Sequence, residues 1–258
     1  MRRTALISAL AAALLALLAA VAVADTLTGT EGPNTLTGTE DPDQLYGEDG
    51  DDTLEGRGGD DYLEAGPGAD GVEGAQGADL TIGGTGDDRL DAGPGNDVVY
   101  AGAGADAVLG GSGADTLFGQ AGADRLFGGQ GRDRLYASGG GDVADGGSGA
   151  DRLTSEADGA RLMGGAGSDV IAGGGGDITA LGGNGRDRIR TGTGSDNVTG
   201  GGGIDAIATG PGDDRVDVLD GRRDRVACGR GDDTVLADRS DVLRGCESRT
   251  ADAPPGEP

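Results

Sequence analysis

The chain has 258 residues, a formal net charge of −26, 58 glycines, 2% aromatic residues and no histidine. Such a composition excludes a conventional globular core and predicts disorder unless cations bind. The acidity disfavours nucleic-acid binding, and the lack of histidine excludes Ser-His-Asp and Cys-His catalytic sites and His-bearing zinc sites. Glycine recurs every nine residues and there are only 8 prolines, which excludes collagen.

Residues 1–24 are predicted to form a secretory signal peptide. Arg2 and Arg3 precede an apolar run over residues 5–23, and Ala22-Val23-Ala24 has the small-x-small pattern of a cleavage site. Cleavage after Ala24 removes both arginines, changes the net charge from −26 to −28 and yields a secreted, extracellular product without membrane contact. The alternative is an uncleaved anchor, because the apolar run approaches the ~20 residues needed to span a bilayer.

A nine-residue register of apolar or small residues follows without insertion. Asp stands two places before almost every member, and Gly usually four places before it. Repeats of this kind cannot bury a core singly, so the register predicts a stacked solenoid. Its positions are Leu27, Leu36, Leu45, Leu54, Leu63, Val72, Thr81, Leu90, Val99, Val108, Leu117, Leu126, Leu135, Ala144, Leu153, Leu162, Ile171, Ala180, Ile189, Val198, Ile207 and Val216.

The repeat has two regular blocks, residues 47–153 and 164–216. The entry to the first block is degenerate, with Asn34 in place of the repeat Asp. Between and within the blocks, Ala160 replaces one Asp, and Asp177 comes one residue early, so that Ile178 takes the Asp place. A one-residue slip at 219–222 is the third irregularity, and we expect metal sites that touch any of these breaks to be weak or empty.

The repeat unit itself indicates a metal site. Glycines at the first, second and fourth places allow positive φ and a tight turn that points carbonyl oxygens inward. The Asp at the sixth place adds a carboxylate, so the turn offers an all-oxygen set suited to a hard cation. The apolar eighth residue then begins a very short strand.

These residues resemble the RTX family, whose nonapeptide is G-G-x-G-x-D-x-U-x. The unit is clear in Gly83-Gly84-Thr85-Gly86-Asp87-Asp88-Arg89-Leu90, in Gly146-Gly147-Ser148-Gly149-Ala150-Asp151-Arg152-Leu153 and in Gly182-Gly183-Asn184-Gly185-Arg186-Asp187-Arg188-Ile189. The resemblance covers residues 25–247. It implies an all-β fold, a parallel β-roll or β-solenoid of about a dozen 18-residue coils, and the binding of multiple Ca²⁺ ions between the turns.

The resemblance assigns the calcium-binding role to the sixth-place aspartates. The alternative is that these side chains only cap turns by hydrogen bonding to local amides. The candidate metal ligands are Asp52, Asp61, Asp70, Asp79, Asp88, Asp97, Asp106, Asp115, Asp124, Asp133, Asp142, Asp151, Asp169, Asp187, Asp196, Asp205 and Asp214.

Cys228 and Cys246 are the only cysteines and stand 18 residues apart, which is one coil of the implied roll. One coil is about one strand spacing, near the Cα separation that a disulfide accepts. We therefore predict a disulfide that staples the end of the roll over residues 226–247. A polar, proline-containing tail over 248–258 is predicted to be disordered.

The ninth-place residues are expected to face outward. Four of them follow one another at one-coil intervals and would form an exposed apolar ladder: Ile82, Tyr100, Phe118 and Tyr136. The ladder could be a surface for self-association or for a cell-surface partner, or it could simply shield the sheet. The seventh-place arginines Arg89, Arg125, Arg134, Arg152, Arg161 and Arg188 are interpreted as solvated charge relief rather than a binding patch.

The sequence thus predicts a secreted calcium-binding repeat protein that folds on meeting extracellular Ca²⁺. No catalytic residue is predicted, because carboxylate pairs recur only through the repeat and nothing singles one out. The outward positions carry no regular Thr array, which disfavours ice binding. The alternative function is a cell-envelope structural or adhesive protein that assembles through the apolar ladder.

Overall fold

The computed structural model describes residues 24–251, which form short strands joined by turns, with no helix in that range. The strands, in chain order, are β1 Thr26–Thr28, β2 Thr35–Thr37, β3 Gln44–Tyr46, β4 Thr53–Gly58, β5 Tyr62–Pro67, β6 Gly71–Gln76, β7 Leu80–Thr85, β8 Arg89–Gly95, β9 Val98–Ala103, β10 Ala107–Gly113, β11 Thr116–Ala121, β12 Arg125–Gly131, β13 Arg134–Ala137, β14 Val143–Gly149, β15 Arg152–Ser155, β16 Arg161–Gly167, β17 Val170–Gly173, β18 Thr179–Gly185, β19 Arg188–Arg190, β20 Asn197–Gly203, β21 Ala206–Ala208, β22 Arg215–Val218, β23 Arg225–Ala227, β24 Thr234–Ala237, β25 Val242–Arg244 and β26 Ser248–Ala251.

The strands form two 13-stranded parallel sheets, the odd sheet from β1, β3 and onward to β25, and the even sheet from β2, β4 and onward to β26. Each strand pairs with the strand one coil away, as in the register of Leu117 with Leu135. Successive nonapeptides therefore alternate between the sheets, and two of them make one coil. This confirms the predicted parallel solenoid of about a dozen coils, about 58 Å long at ~4.8 Å per strand.

The core is a thin layer between the two sheets. The eighth-place residues point into it, and members such as Leu54, Leu117 and Leu153 have no exposed surface. A second internal row comes from the first place of the repeat, where Ala65 and Ala101 are equally buried. Burying one leucine side chain contributes about 1.5–3 kcal/mol, so a coil with one large apolar side chain per nonapeptide has little core to stabilise it.

The slip at 219–222 lengthens one coil without ending the stack. β22 pairs with β24 with Val216 opposite Val235, 19 residues apart rather than 18. Beyond it, Cys228 and Cys246 form the predicted disulfide, with their Cα atoms 5.2 Å apart.

One predicted boundary is wrong at the carboxyl-terminal end. Ser248–Ala251 form β26 and pair with β24, so the solenoid continues four residues into the predicted tail 248–258. The exposed edge of β24 supplies the backbone hydrogen-bonding groups that this last strand needs. Residues 252–258 and the predicted signal peptide, apart from Ala24, lie outside the described residues. Within residues 24–251, no helix is long and apolar enough to cross a bilayer.

Candidate metal centre

The sixth-place aspartates form two buried columns that run the length of the solenoid, one beside each sheet. Each of the seventeen predicted ligands is at most 3% exposed. One column precedes the odd strands and contains Asp61, Asp79, Asp97, Asp115, Asp133, Asp151, Asp169, Asp187 and Asp205. The other precedes the even strands and contains Asp52, Asp70, Asp88, Asp106, Asp124, Asp142, Asp196 and Asp214.

One carboxylate oxygen of each Asp ties neighbouring coils together. The Oδ1 of Asp115 accepts the backbone N–H of Asp97 at 2.9 Å, and the Oδ1 of Asp133 accepts that of Asp115 at 2.9 Å. The bond recurs along both columns between residues one coil apart. The alternative interpretation, that these side chains cap turns, therefore accounts for one oxygen of each carboxylate. The amide that this oxygen caps belongs to the adjacent coil and is not local.

The second carboxylate oxygen has no hydrogen-bond partner. For all seventeen predicted ligands except Asp142, the Oδ2 atom is buried and accepts no hydrogen bond in the described structure. The Oδ2 of Asp142 accepts the backbone N–H of Gly139 at 2.9 Å. A buried, unpartnered carboxylate oxygen is costly, so each column holds a row of oxygens that requires a proton or a cation.

The first-place glycine makes room for this oxygen. A Cβ at Gly110 would lie 2.7 Å from the Oδ2 of Asp115 and 2.7 Å from the carbonyl oxygen of Gly128 on the next coil. These two oxygens converge beside Gly110. The sequence interpretation is corrected here, because positive φ occurs at the second and fourth places, as at Gly111 and Gly113, and not at the first. The first-place Gly is favoured by space, although Ala takes the same place in other coils, for example at Ala101.

Burial raises the pKa of most of the predicted ligands above the value for a free Asp, as at Asp61 and Asp115. Desolvation is the largest cause, and it raises the pKa of Asp88, Asp97, Asp151 and Asp205 to about 7. The accepted backbone hydrogen bond acts in the opposite direction, and neighbouring aspartates of the same column raise the pKa further. The columns are thus short of positive charge.

The two columns differ in continuity. Ala160 and Ile178 follow each other in the even column, so they interrupt that column alone. A Cβ at Gly173 would meet the Cδ1 of Ile178. This methyl group therefore occupies the place that the Oδ2 of Asp115 occupies beside Gly110. The odd column passes this region without a break.

The odd column also continues through the slip. The N–H of Asp205 donates to the Oδ1 of Asp224 at 2.7 Å, and that of Asp224 donates to the Oδ1 of Asp241 at 2.9 Å. Asp43 extends the same column at the other end, where its N–H donates to the Oδ1 of Asp61. The sequence analysis missed these members because it counted from the regular blocks. Each of them stands two residues before an apolar residue (Leu45, Val226 or Leu243), and this spacing could have identified them from the sequence.

A second, exposed row of aspartates lies at the fifth place. The Oδ1 of Asp87 accepts the N–H of Ala105 at 2.8 Å, and Asp60 makes the same bond to Ala78. These carboxylates reach solvent, so they cap turns without the cost that burial imposes on the columns.

The predicted apolar ladder is present on the outer face of the odd sheet. Ile82 lies opposite Tyr100 in register, and the rings of Tyr100, Phe118 and Tyr136 stack in sequence with centroids 4.7 Å apart. Tyr100 is 36% exposed and Ile82, Phe118 and Tyr136 are half-buried, because each ring covers the face of the next.

The donor set fits a hard cation. Among residues 24–251, no three carboxylate, thiolate or imidazole side chains converge on one point, so most ligands of an ion would be backbone carbonyl oxygens of the glycine turns. The unpartnered Oδ2 atoms would supply the charge. Calcium takes six to eight oxygen ligands in flexible geometry, which matches such a set.

Comparison with known proteins agrees with this chemistry. The model of the RTX calcium-binding nonapeptide repeat matches residues 23–54, 46–81, 82–117, 118–153, 157–177 and 181–216. No curated protein matches the chain.

Among solved structures, the chain is similar to a hyperactive, Ca²⁺-dependent, β-helical antifreeze protein from an Antarctic bacterium. The identity is 22%, the TM-score 0.47, and the match covers 88% of this chain and 82% of that one. The repeat match extends over most of the described chain, and the chain belongs to the RTX calcium-binding nonapeptide repeat family, whose ligand is Ca²⁺.

Proposed function

We propose that this protein is secreted, that its two aspartate columns hold Ca²⁺ ions, and that it folds when it meets extracellular calcium. It acts without a catalytic centre of its own. The observation that carries the proposal is the row of buried Oδ2 atoms without donors. In the absence of cations, these oxygens and the net charge of −26 oppose the folded state.

Calcium at extracellular concentration suits such sites. Sites with few formal charges and many backbone ligands bind at about 10⁻⁴–10⁻³ M, the range of extracellular modules. About 14 divalent ions would neutralise the charge of the exported chain. The chain would stay unfolded in the cytoplasm and fold after export, and the disulfide between Cys228 and Cys246 is consistent with an oxidising compartment.

The test is a calcium titration of the exported chain, residues 25–258, after treatment with EGTA. We expect far-UV circular dichroism to change from a disordered to a strand-rich spectrum, cooperatively and at about 10⁻⁴–10⁻³ M calcium. Magnesium at the same concentration is the control and should produce less structure, because it demands near-ideal octahedral geometry. A strand-rich spectrum in EGTA would overturn coupled folding. Mass spectrometry of the exported protein tests the predicted amino terminus at Asp25.

Self-assembly through the apolar ladder is the second candidate function. The stacked rings of Tyr100, Phe118 and Tyr136 support it by forming a continuous row on one face. Sedimentation of the calcium-loaded chain should then show oligomers that the double variant Tyr100→Ser/Phe118→Ser dissociates. A persistent monomer would indicate that the row only shields the sheet.

A further inference from the structure

Arginines gather on one half of the outer face of the odd sheet. From β13 to β25, the outward seventh-place and ninth-place residues of this sheet contain no carboxylate. They contain six exposed arginines, here called the arginine strip: Arg134, Arg152, Arg188, Arg190, Arg225 and Arg244.

The strip contains a shallow groove of about 400 Å³. Its floor includes Ala206 and Ala208, and Arg188 and Arg225 stand on either side of it, because β21 lies between β19 and β23. An adjoining depression, also of about 400 Å³, adds Arg186 and Arg223 at the edge of the sheet.

No carboxylate lines the groove, and those that line the adjoining depression are buried. Asp187 and Asp205 border the adjoining depression, but they belong to the odd column and are at most 1% exposed. Within residues 24–247, the one ion pair joins Arg57 to Glu55, at 3.3 Å on the even sheet. The strip therefore presents guanidinium groups that form no ion pair within residues 24–247.

The even sheet shows that the repeat alone does not produce this segregation. Arg89 and Arg125 hold the same relation there, two strands apart with Ala107 between them. On that sheet, however, acidic residues share the outward positions, as Asp91 does two residues after Arg89 and Asp145 does opposite Phe127 on the strand next to Arg125. The sequence analysis interpreted the seventh-place arginines as solvated charge relief, and the assignment of strands to sheets separates them into two different surfaces.

We propose that the arginine strip binds a linear acidic polysaccharide whose chain lies along the solenoid axis. The strip is only one short strand wide and runs parallel to the axis, which suits a single narrow chain. Arg134 and Arg152 are one strand apart, and Arg188 and Arg225 are two strands apart, which corresponds to about 5 and 10 Å. Guanidinium forks match the geometry of carboxylate and sulfate groups.

A nucleic acid fits this surface less well. Sequence-tolerant binding of single strands combines basic residues with open aromatic faces on which bases stack. The outward residues between the arginines are small or aliphatic, as at Val170 and Ala206, and the nearby rings of Phe118 and Tyr136 already cover each other.

Calcium is expected to be required for this binding. The net charge of −26 repels any polyanion at a distance. Ions in the odd column would neutralise the charge of Asp187 and Asp205, which border the depression next to the strip. This part of the inference rests on the proposed calcium function, whereas the recognition of the anionic groups rests on the arginines alone.

The test measures binding of the full exported chain in calcium to three probes: hyaluronan, which carries carboxylates, dextran sulfate, which carries sulfates, and neutral dextran. The variant Arg188→Ser/Arg225→Ser should weaken binding of an acidic probe by about tenfold or more. The control variant Arg89→Ser/Arg125→Ser removes the same charge at the same spacing from the even sheet, and its affinity should change by less than about twofold. The acidic probe that binds more tightly distinguishes carboxylate from sulfate recognition.

Three results would overturn the proposal: equal loss in both variants, no binding to either acidic probe, or tighter binding to a single-stranded oligothymidylate. Circular dichroism of the same samples reports the fold separately. A chain that is folded but does not bind contradicts the arginine strip alone. A spectrum that is strand-rich both in EGTA and in calcium contradicts coupled folding and leaves the binding comparison valid.

Discussion

Replacing Asp88 by Asn should change stability in opposite directions with and without calcium. The Oδ1 of Asp88 accepts the N–H of Asp70 at 2.9 Å, and its Oδ2 is buried without a partner. Asn keeps an oxygen for the first bond and replaces the second oxygen by an amide donor. That donor would lie near the carbonyl oxygen of Ala101, which converges with Oδ2 beside Gly83.

Without calcium, the substitution removes an unsatisfied buried acceptor. Leaving such a group unpaired costs about 1–3 kcal/mol, so the folded state should gain stability of that order in EGTA. With calcium at about 10 mM, a site with a Kd of about 10⁻⁴–10⁻³ M contributes about 1.4–2.7 kcal/mol to folding. Loss of the carboxylate should remove most of that contribution.

The matched control is Asp87→Asn, one residue away. Asp87 also accepts a backbone N–H from one coil away, from Ala105 at 2.8 Å, and its substitution removes the same charge. It is exposed, so stability should change by less than about 0.5 kcal/mol in either condition.

Urea unfolding followed by circular dichroism measures the effect in calcium. In EGTA, where we propose that the chain is unfolded, stability is measured instead as the concentration of trimethylamine N-oxide at the midpoint of folding, since this osmolyte favours burial. The Asp88→Asn variant should need more calcium and less osmolyte than the unchanged chain. Stabilisation or destabilisation in both conditions would refute the assignment of Oδ2 as a ligand.

Three further predictions follow from burial and covalent linkage. In EGTA, lowering the pH from 7 to 5 should increase strand content, because the pKa of Asp88 is raised to about 7 in the folded state and stability is lost as the pH rises through that value. Calcium affinity should be weaker at pH 5 than at pH 7. A circular dichroism spectrum that does not change with pH in EGTA would contradict the raised pKa values. The Cys228→Ser/Cys246→Ser variant should lose about 3 kcal/mol by the loop-closure model for 18 residues, measured by urea unfolding in calcium, and no loss would contradict the staple. In the same assay, Leu117→Ala, at a side chain with no exposed surface, should cost about 2–5 kcal/mol, whereas Phe127→Ala, at 39% exposure, should cost less than about 1 kcal/mol.

Much of this fold follows from local residue chemistry repeated at a constant interval. The apolar eighth place, the tight glycine turn and the Asp two places before the apolar residue all appear in a single nonapeptide, such as residues 83–90. The even spacing indicates stacking, and the core positions that it predicts from Leu45 to Val216 are all buried. Thr81 belongs to the same register and is buried too, although its hydroxyl finds no partner.

The candidate site was less predictable because its contacts join residues one coil apart. The hydrogen bond from Asp97 to Asp115 and the convergence of Asp115 with the carbonyl of Gly128 each link different coils. Interpreted as a local turn, the repeat therefore predicted positive φ at the first-place glycine. In the structure this glycine instead leaves space for a carboxylate.

The amino-acid sequence by itself determined the period, the all-β fold class, the calcium-type donor set and the disulfide. The tertiary structure decided how the breaks and the arginines are distributed between the two columns and the two faces. Ala160 and Ile178 stand 18 residues apart, so they break one aspartate column, while Arg188 and Arg225 come to lie on one sheet and Arg89 and Arg125 on the other. The physical reason is that a nine-residue unit turns the chain through half a coil. Neighbours in the sequence thus lie on opposite sheets, and the interactions that bind a ligand form between alternate repeats.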